Sequence, residues 1–101
     1  MEHSHSEHSS NSANVAEKKL MIKNKLGLHA RPASLFVRLA NRFQCEITVQ
    51  KGKNKVNGKS IMGIMMLAAG PGSRITVRAV GADAAEALNE IEELVASNFG
   101  E

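Results

Sequence analysis

The feature that constrains this chain most is a repeated change in apolar spacing, between every second residue and every third or fourth. Leu20 and Ile22 alternate with Lys19, Met21 and Lys23, which predicts a strand over about 19–24. Ala33, Phe36, Leu39, Ala40 and Phe43 then form one helical stripe, with Arg31, Ser34, Arg38, Asn41 and Arg42 opposite, and Pro32 suits its first turn. Ile47 and Val49 alternate with Glu46, Thr48 and Gln50 in a second strand, and a polar turn at 51–54 leads to a short third strand around Val56. The segment SIMGIMMLAA reads as a short helix with Ser60 as N-cap, stopped by Gly70-Pro71-Gly72. Ile75, Val77 and Ala79 mark a fourth strand. Asp83 caps a last helix whose stripe is Ala84, Ala87, Leu88, Ile91, Leu94 and Val95, closed by Phe99.

That order, β-α-β-β-α-β-α, predicts an α+β fold with a four-stranded antiparallel sheet and three helices on one face. At 101 residues the chain holds one domain. Residues 1–17 are rich in Ser, Asn, His and Ala and have too little apolar surface to offset the entropy of ordering. They are expected to be a disordered tail, with the folded body over 18–101. His3, His5 and His8 lie in that tail without a scaffold to fix a metal geometry, so no metal is expected.

No apolar run reaches the ~18 residues of a membrane span, and the opening MEHSHSEHSS lacks the apolar segment of a secretory leader. A cytoplasmic protein without membrane insertion is expected. The single Cys45 makes no internal disulfide and is explained by packing. Charge is segregated: residues 18–82 hold all 13 bases and one acid, Glu46, whereas 83–101 hold six acids and no base. Such a basic centre suits an acidic or phosphorylated partner.

His29 is the one histidine of the expected body, in Gly27-Leu28-His29-Ala30-Arg31-Pro32. The first turn of the helix offers orphan N–H groups and a positive dipole end, which together favour an anion. Arg31 adds a guanidinium whose fork matches a phosphate. A neutral imidazole is a competent nucleophile, and the same donors stabilise a phosphoryl group once it is attached. No carboxylate of the chain is expected to lie near His29 as a general base, and there is no phosphate-binding glycine loop. The residues alone leave open whether His29 is an acceptor or simply caps the helix.

Ser60 likewise reads as an N-cap or as a phosphorylation switch, where phosphate adds about −1.5 to −2 charge. Met62, Met65 and Met66 beside Ile61, Ile64 and Leu67 give the short helix more apolar surface than it can bury, a docking face for a partner.

Most of the chain, from about Lys19 to Glu101, resembles the HPr family of histidine-containing phosphocarriers of the bacterial phosphoenolpyruvate-dependent sugar phosphotransferase system. Two motifs carry the likeness, Leu26–Ala33 around His29 and Asn57–Gly63 around Ser60. The resemblance implies the open-faced β-sandwich of that family. It implies that His29 accepts phosphate from phospho-enzyme I at Nδ1 and passes it to enzyme IIA domains, with Arg31 contacting the phosphoryl group. Ser60 would be the target of an HPr kinase/phosphorylase. Ile61, Met62, Met65 and Arg38 would belong to the docking surface of a monomer that needs no cofactor.

Asn24-Lys25-Leu26-Gly27 and the ending Ser97–Glu101 look more like the nitrogen-related branch, whereas the Ser60 motif resembles the kinase-regulated type. The alternative within the family is therefore a regulatory protein acting through protein contacts. A small basic nucleic-acid-binding domain is a third reading. It is disfavoured because no strand carries an aromatic ring to stack on a base.

Overall fold

A computed structural model describes residues 14–101 of the chain. Its elements are β1 (Val15–Met21), α1 (Ala30–Ala40), β2 (Glu46–Lys51), β3 (Asn54–Asn57), α2 (Ile61–Met66), β4 (Arg74–Val80) and α3 (Ala84–Ala96). A single 3-10 turn follows at Asn98–Gly100. The four strands form one antiparallel sheet in the order β1-β4-β2-β3. The expected fold, three helices over one face of a four-stranded antiparallel sheet, is the one observed.

β4 is an interior strand, paired with β1 on one side and β2 on the other. Ile75, Val77 and Ala79 are buried, while Arg74, Arg78 and Val80 face water. Register then sets the faces of its neighbours: Val49 lies opposite Val77, and Leu20 opposite Ile75. α3 lies across β1 and β4, α1 packs on α2 and α3, and α2 rests on β3. Between them sit Phe36, Ile47, Val49, Ile64, Leu67, Ile75, Val77, Leu88 and Ile91, each 2 % exposed or less. Burying one such side chain stabilises the fold by roughly 1.5–3 kcal/mol.

Four local expectations change. β1 begins at Val15, inside the segment expected to be tail, and ends at Met21. Val15 pairs with Val80 and Ala16 with Ala79, so the backbone of a polar-looking segment is held by a distant strand. The rest of the expected tail, with His3, His5 and His8, lies outside the described residues. α1 starts at Ala30, which leaves Pro32 in its first turn as expected. Its buried stripe includes Val37, whereas Leu39 is only half-buried, because α1 is covered by α2 and α3 together.

α2 stops at Met66 instead of running on to Gly70. Ala68 takes a left-handed φ of 51° and turns the chain. Finally, Asp83 stands at the start of α3 but makes no side-chain cap bond. Its carboxylate accepts from the backbone N–H groups of Gln44 and Cys45, both at 2.9 Å, and so braces the connection from α1 to β2. Those N–H groups, Gln44 first, hold the Asp83 carboxyl below its ordinary range.

Candidate functional site

His29 occupies the N-cap of α1 with extended backbone, φ −87° and ψ −168°. Its carbonyl accepts the first helical bond from Ala33 N–H at 2.9 Å, yet its side chain makes no cap bond. The imidazole is therefore left over from folding, with its side chain 38 % exposed. The N–H groups of Ala30 and Arg31 have no intrahelical acceptor, and Pro32 has no N–H to supply. His29 thus stands next in sequence to two orphan donors at the positive end of an 11-residue helix.

The turn that presents it is built by its neighbours. Gly27 has φ 71°, and a Cβ there would lie 2.4 Å from the Ala69 carbonyl oxygen, so no larger residue fits. Leu28 N–H donates to that same carbonyl at 2.8 Å. Asn24, 3 % exposed, donates from Nδ2 to the Gly27 carbonyl at 2.8 Å. The left-handed Ala68 aims the Ala69 carbonyl back at this turn, so the end of α2 and the start of α1 are tied together.

His29 lines a shallow recess of about 230 Å³ with Leu26, Leu28, Ala68, Ala69 and Gly70. A roomier cleft, about 480 Å³, opens instead between Gln44–Thr48 and Lys55–Lys59 and contains none of the candidate residues. Its one thiol is not poised to act: burial, then the Asp83 carboxylate, pushes Cys45 up to about 11.

Arg31 is exposed in the first turn of α1, and among the described residues it forms no ion pair. Arg38 is exposed two turns further along the same helix. Ser60 accepts from Gly63 N–H at 3.0 Å, so its capping role is real. Ile61, Met62 and Met65 are 44, 73 and 43 % exposed, which places the expected docking residues at the surface. Two residues outside that set extend it, Met66 at 74 % and Leu26 at 66 %. The surplus apolar count on the short helix was the signal for Met66; Leu26 gave none. Ser60 opens α2 and the recess residues Ala68–Gly70 follow its end, with about 9 Å of helix between.

One expectation fails. A carboxylate does stand beside His29: Glu101 Oε2 is 3.5 Å from the ring Nε2. Nothing local in the sequence announces it, since the approach is made by the last turn of the chain.

All three phenylalanines are buried, so none offers a ring for base stacking. Among the described residues no three His, Cys, Asp or Glu side chains gather as metal ligands, and no helix is long and apolar enough to cross a membrane.

Comparisons with known proteins agree with one another. The family model described as the PTS HPr component phosphorylation site matches residues 16–97. The phosphocarrier protein HPr of Neisseria meningitidis is 47% identical over 86% of this chain and 98% of its own length. A crystal structure of HPr from Thermoanaerobacter tengcongensis superposes with a TM-score of 0.83 at 49% identity, covering 85% of this chain and 97% of that one. Crh, the Bacillus subtilis catabolite repression protein, gives 0.67 at 44% identity over 80% and 93%, and its structure is described as a domain-swapped dimer.

Proposed function

This chain belongs to the HPr family of phosphocarrier proteins of the phosphotransferase system, and from that premise we propose that His29 is its phosphoryl acceptor. The observation that carries the proposal is an imidazole at the N-cap of α1 that takes no part in capping, on a residue next in sequence to the orphan N–H groups of Ala30 and Arg31. In the transfer, the lone pair of a ring nitrogen forms a bond to phosphorus. The bond between phosphorus and the donor breaks, and its electron pair stays with the donor. The two N–H groups, the helix dipole and the exposed Arg31 fork favour the phosphoryl oxygens in the loaded state. Exposure of the ring keeps the group accessible to a second protein, which suits a carrier better than an enzyme that turns over a small molecule.

The donor in this reading is phospho-enzyme I and the recipients are enzyme IIA domains in the cytoplasm. Both meet the surface around the recess, where Leu26, Ile61, Met62, Met65 and Met66 supply apolar contact and Arg31 and Arg38 supply charge. Ser60 regulates that contact. Phosphate from an HPr kinase/phosphorylase would favour the start of α2 yet place about −1.5 to −2 charge against Ile61 and Met62, which opposes an acidic partner. The expected monomer has no support, since the Crh relative is a dimer.

The test is transfer from phosphoenolpyruvate through enzyme I with Mg²⁺, read by intact mass. One added acid-labile phosphate, absent in His29→Ala, is the expected result. Acid-labile label retained in that variant would move the acceptor elsewhere. A second reading, a regulatory protein acting by contact, is favoured by the likeness to Crh. It gains if no label appears at His29 while Ser60 accepts phosphate from the kinase.

A further inference from the structure

Glu101 touches both sides of the turn that presents His29. Its Oε2 lies 3.5 Å from His29 Nε2, and its Oε1 accepts from Asn24 Nδ2 at 3.4 Å. The same Nδ2 donates to the Gly27 carbonyl at 2.8 Å. Both neighbours are oxygen acceptors, so the Asn24 amide must turn its nitrogen toward them. Its Oδ1 is thereby left buried with no partner among the described residues. A buried acceptor without a donor is unfavourable, and the arrangement persists because it fixes the turn and the carboxylate at once.

The last turn of the chain is shaped to deliver that carboxylate. Asn98 and Phe99 are both left-handed, with φ 56° and 58°, which folds the chain back after α3. Phe99, 2 % exposed, anchors the turn in the core. Glu101 N–H then donates to the Asn98 carbonyl at 3.0 Å. Two unfavourable backbone conformations in succession and one buried ring place a single charged side chain at His29.

We propose that Glu101 is a positioning residue for His29, held in place by Asn24. The proposal rests on His29 as the phosphoryl acceptor and specifies what prepares its ring. A carboxylate 3.5 Å from Nε2 favours the ring proton on that nitrogen through its negative charge, and so biases the tautomer of the ring. The lone pair is then on Nδ1. When Nδ1 bonds to phosphorus, the donor leaves with the electron pair of the broken bond and the Nε2 proton remains. The ring becomes cationic with Glu101 beside it, which favours the loaded state.

The experiment is ¹⁵N NMR of the ring in the full chain, above its titration, in wild type, Glu101→Gln and Asn24→Ala. Wild type holds almost all of its neutral ring as the Nε2–H tautomer, and Glu101→Gln admits a measurable Nδ1–H fraction. Asn24→Ala, which does not touch the ring, shifts the ratio in the same direction and by less, with folding checked by its amide spectrum. An unchanged ratio in Glu101→Gln overturns the proposal, and a shift there without one in Asn24→Ala removes Asn24 from it. Transfer assays add a kinetic split: kcat falls about two- to fivefold in Glu101→Gln while KM for the phospho-donor is unchanged. A raised KM with constant kcat would assign Glu101 to docking and overturn positioning. The tautomer ratio needs no donor, so it stands or fails separately from the phosphocarrier reading.

Discussion

His29 and Ser60 hold the same structural position, each the N-cap of a helix, and the fold uses them in opposite ways. Ser60 gives its oxygen to Gly63 N–H at 3.0 Å, so its side chain stabilises α2 directly. His29 gives only its backbone, and its ring makes no cap bond. One cap has been committed to stability, the other left free for chemistry. The difference teaches that the proposed phosphoacceptor is marked by what its side chain does not do for the fold. It also means that modification at Ser60 must act on a group already in use.

The largest effect expected is on transfer in His29→Ala. All acid-labile phosphate disappears in the intact-mass assay, while unfolding free energy changes by less than about 0.5 kcal/mol, because an exposed ring without a cap bond is removed. A loss of several kcal/mol would mean the ring holds the fold after all. Next is Gly27→Ala. The left-handed backbone and the 2.4 Å approach to the Ala69 oxygen force the turn apart, costing more than about 2 kcal/mol in chemical denaturation and lowering transfer with it.

Ser60 sharpens the contrast. Ser60→Ala lowers stability by about 1 kcal/mol through loss of the cap. Ser60→Asp keeps an acceptor at the cap and so keeps stability, yet weakens docking to enzyme I about fivefold, the equivalent of ~1 kcal/mol. Equal transfer kinetics in wild type and Ser60→Asp would reduce Ser60 to a cap.

The smallest effect concerns the brace at Asp83, which failed to cap α3. Its folded pKa is depressed, so its contribution is present above the unfolded value near 3.8 and is lost as pH falls below it. Asp83→Asn should melt earlier than wild type at pH 7, with the two curves converging on acidification. A constant gap down to pH 2 would show that the carboxylate's charge plays no part.

Much of this was legible in the sequence. Ile75, Val77 and Ala79 revealed β4 through strict alternation, and Ala33, Phe36 and Ala40 revealed the buried stripe of α1. Ser60 was readable as a cap because the bond to Gly63 spans three residues. Val15–Glu17 was not readable as strand, since only pairing with β4 orders it. The early end of α2 was equally hidden, because nothing in an alanine at position 68 announces φ 51°. Asp83 looked like a cap because its chemistry suits one, and the backbone of Gln44 and Cys45 competed successfully for its carboxylate.

The sequence by itself determined the order of elements, the helix start that carries His29, and the surplus apolar surface of α2. These rest on interactions between residues a few positions apart, where spacing translates directly into geometry. Only the tertiary structure decided that Ala69 shapes the His29 turn and that Glu101, 77 residues beyond Asn24, closes over it. Such contacts depend on where the whole chain returns after the sheet and helices have packed, and no local period encodes that path.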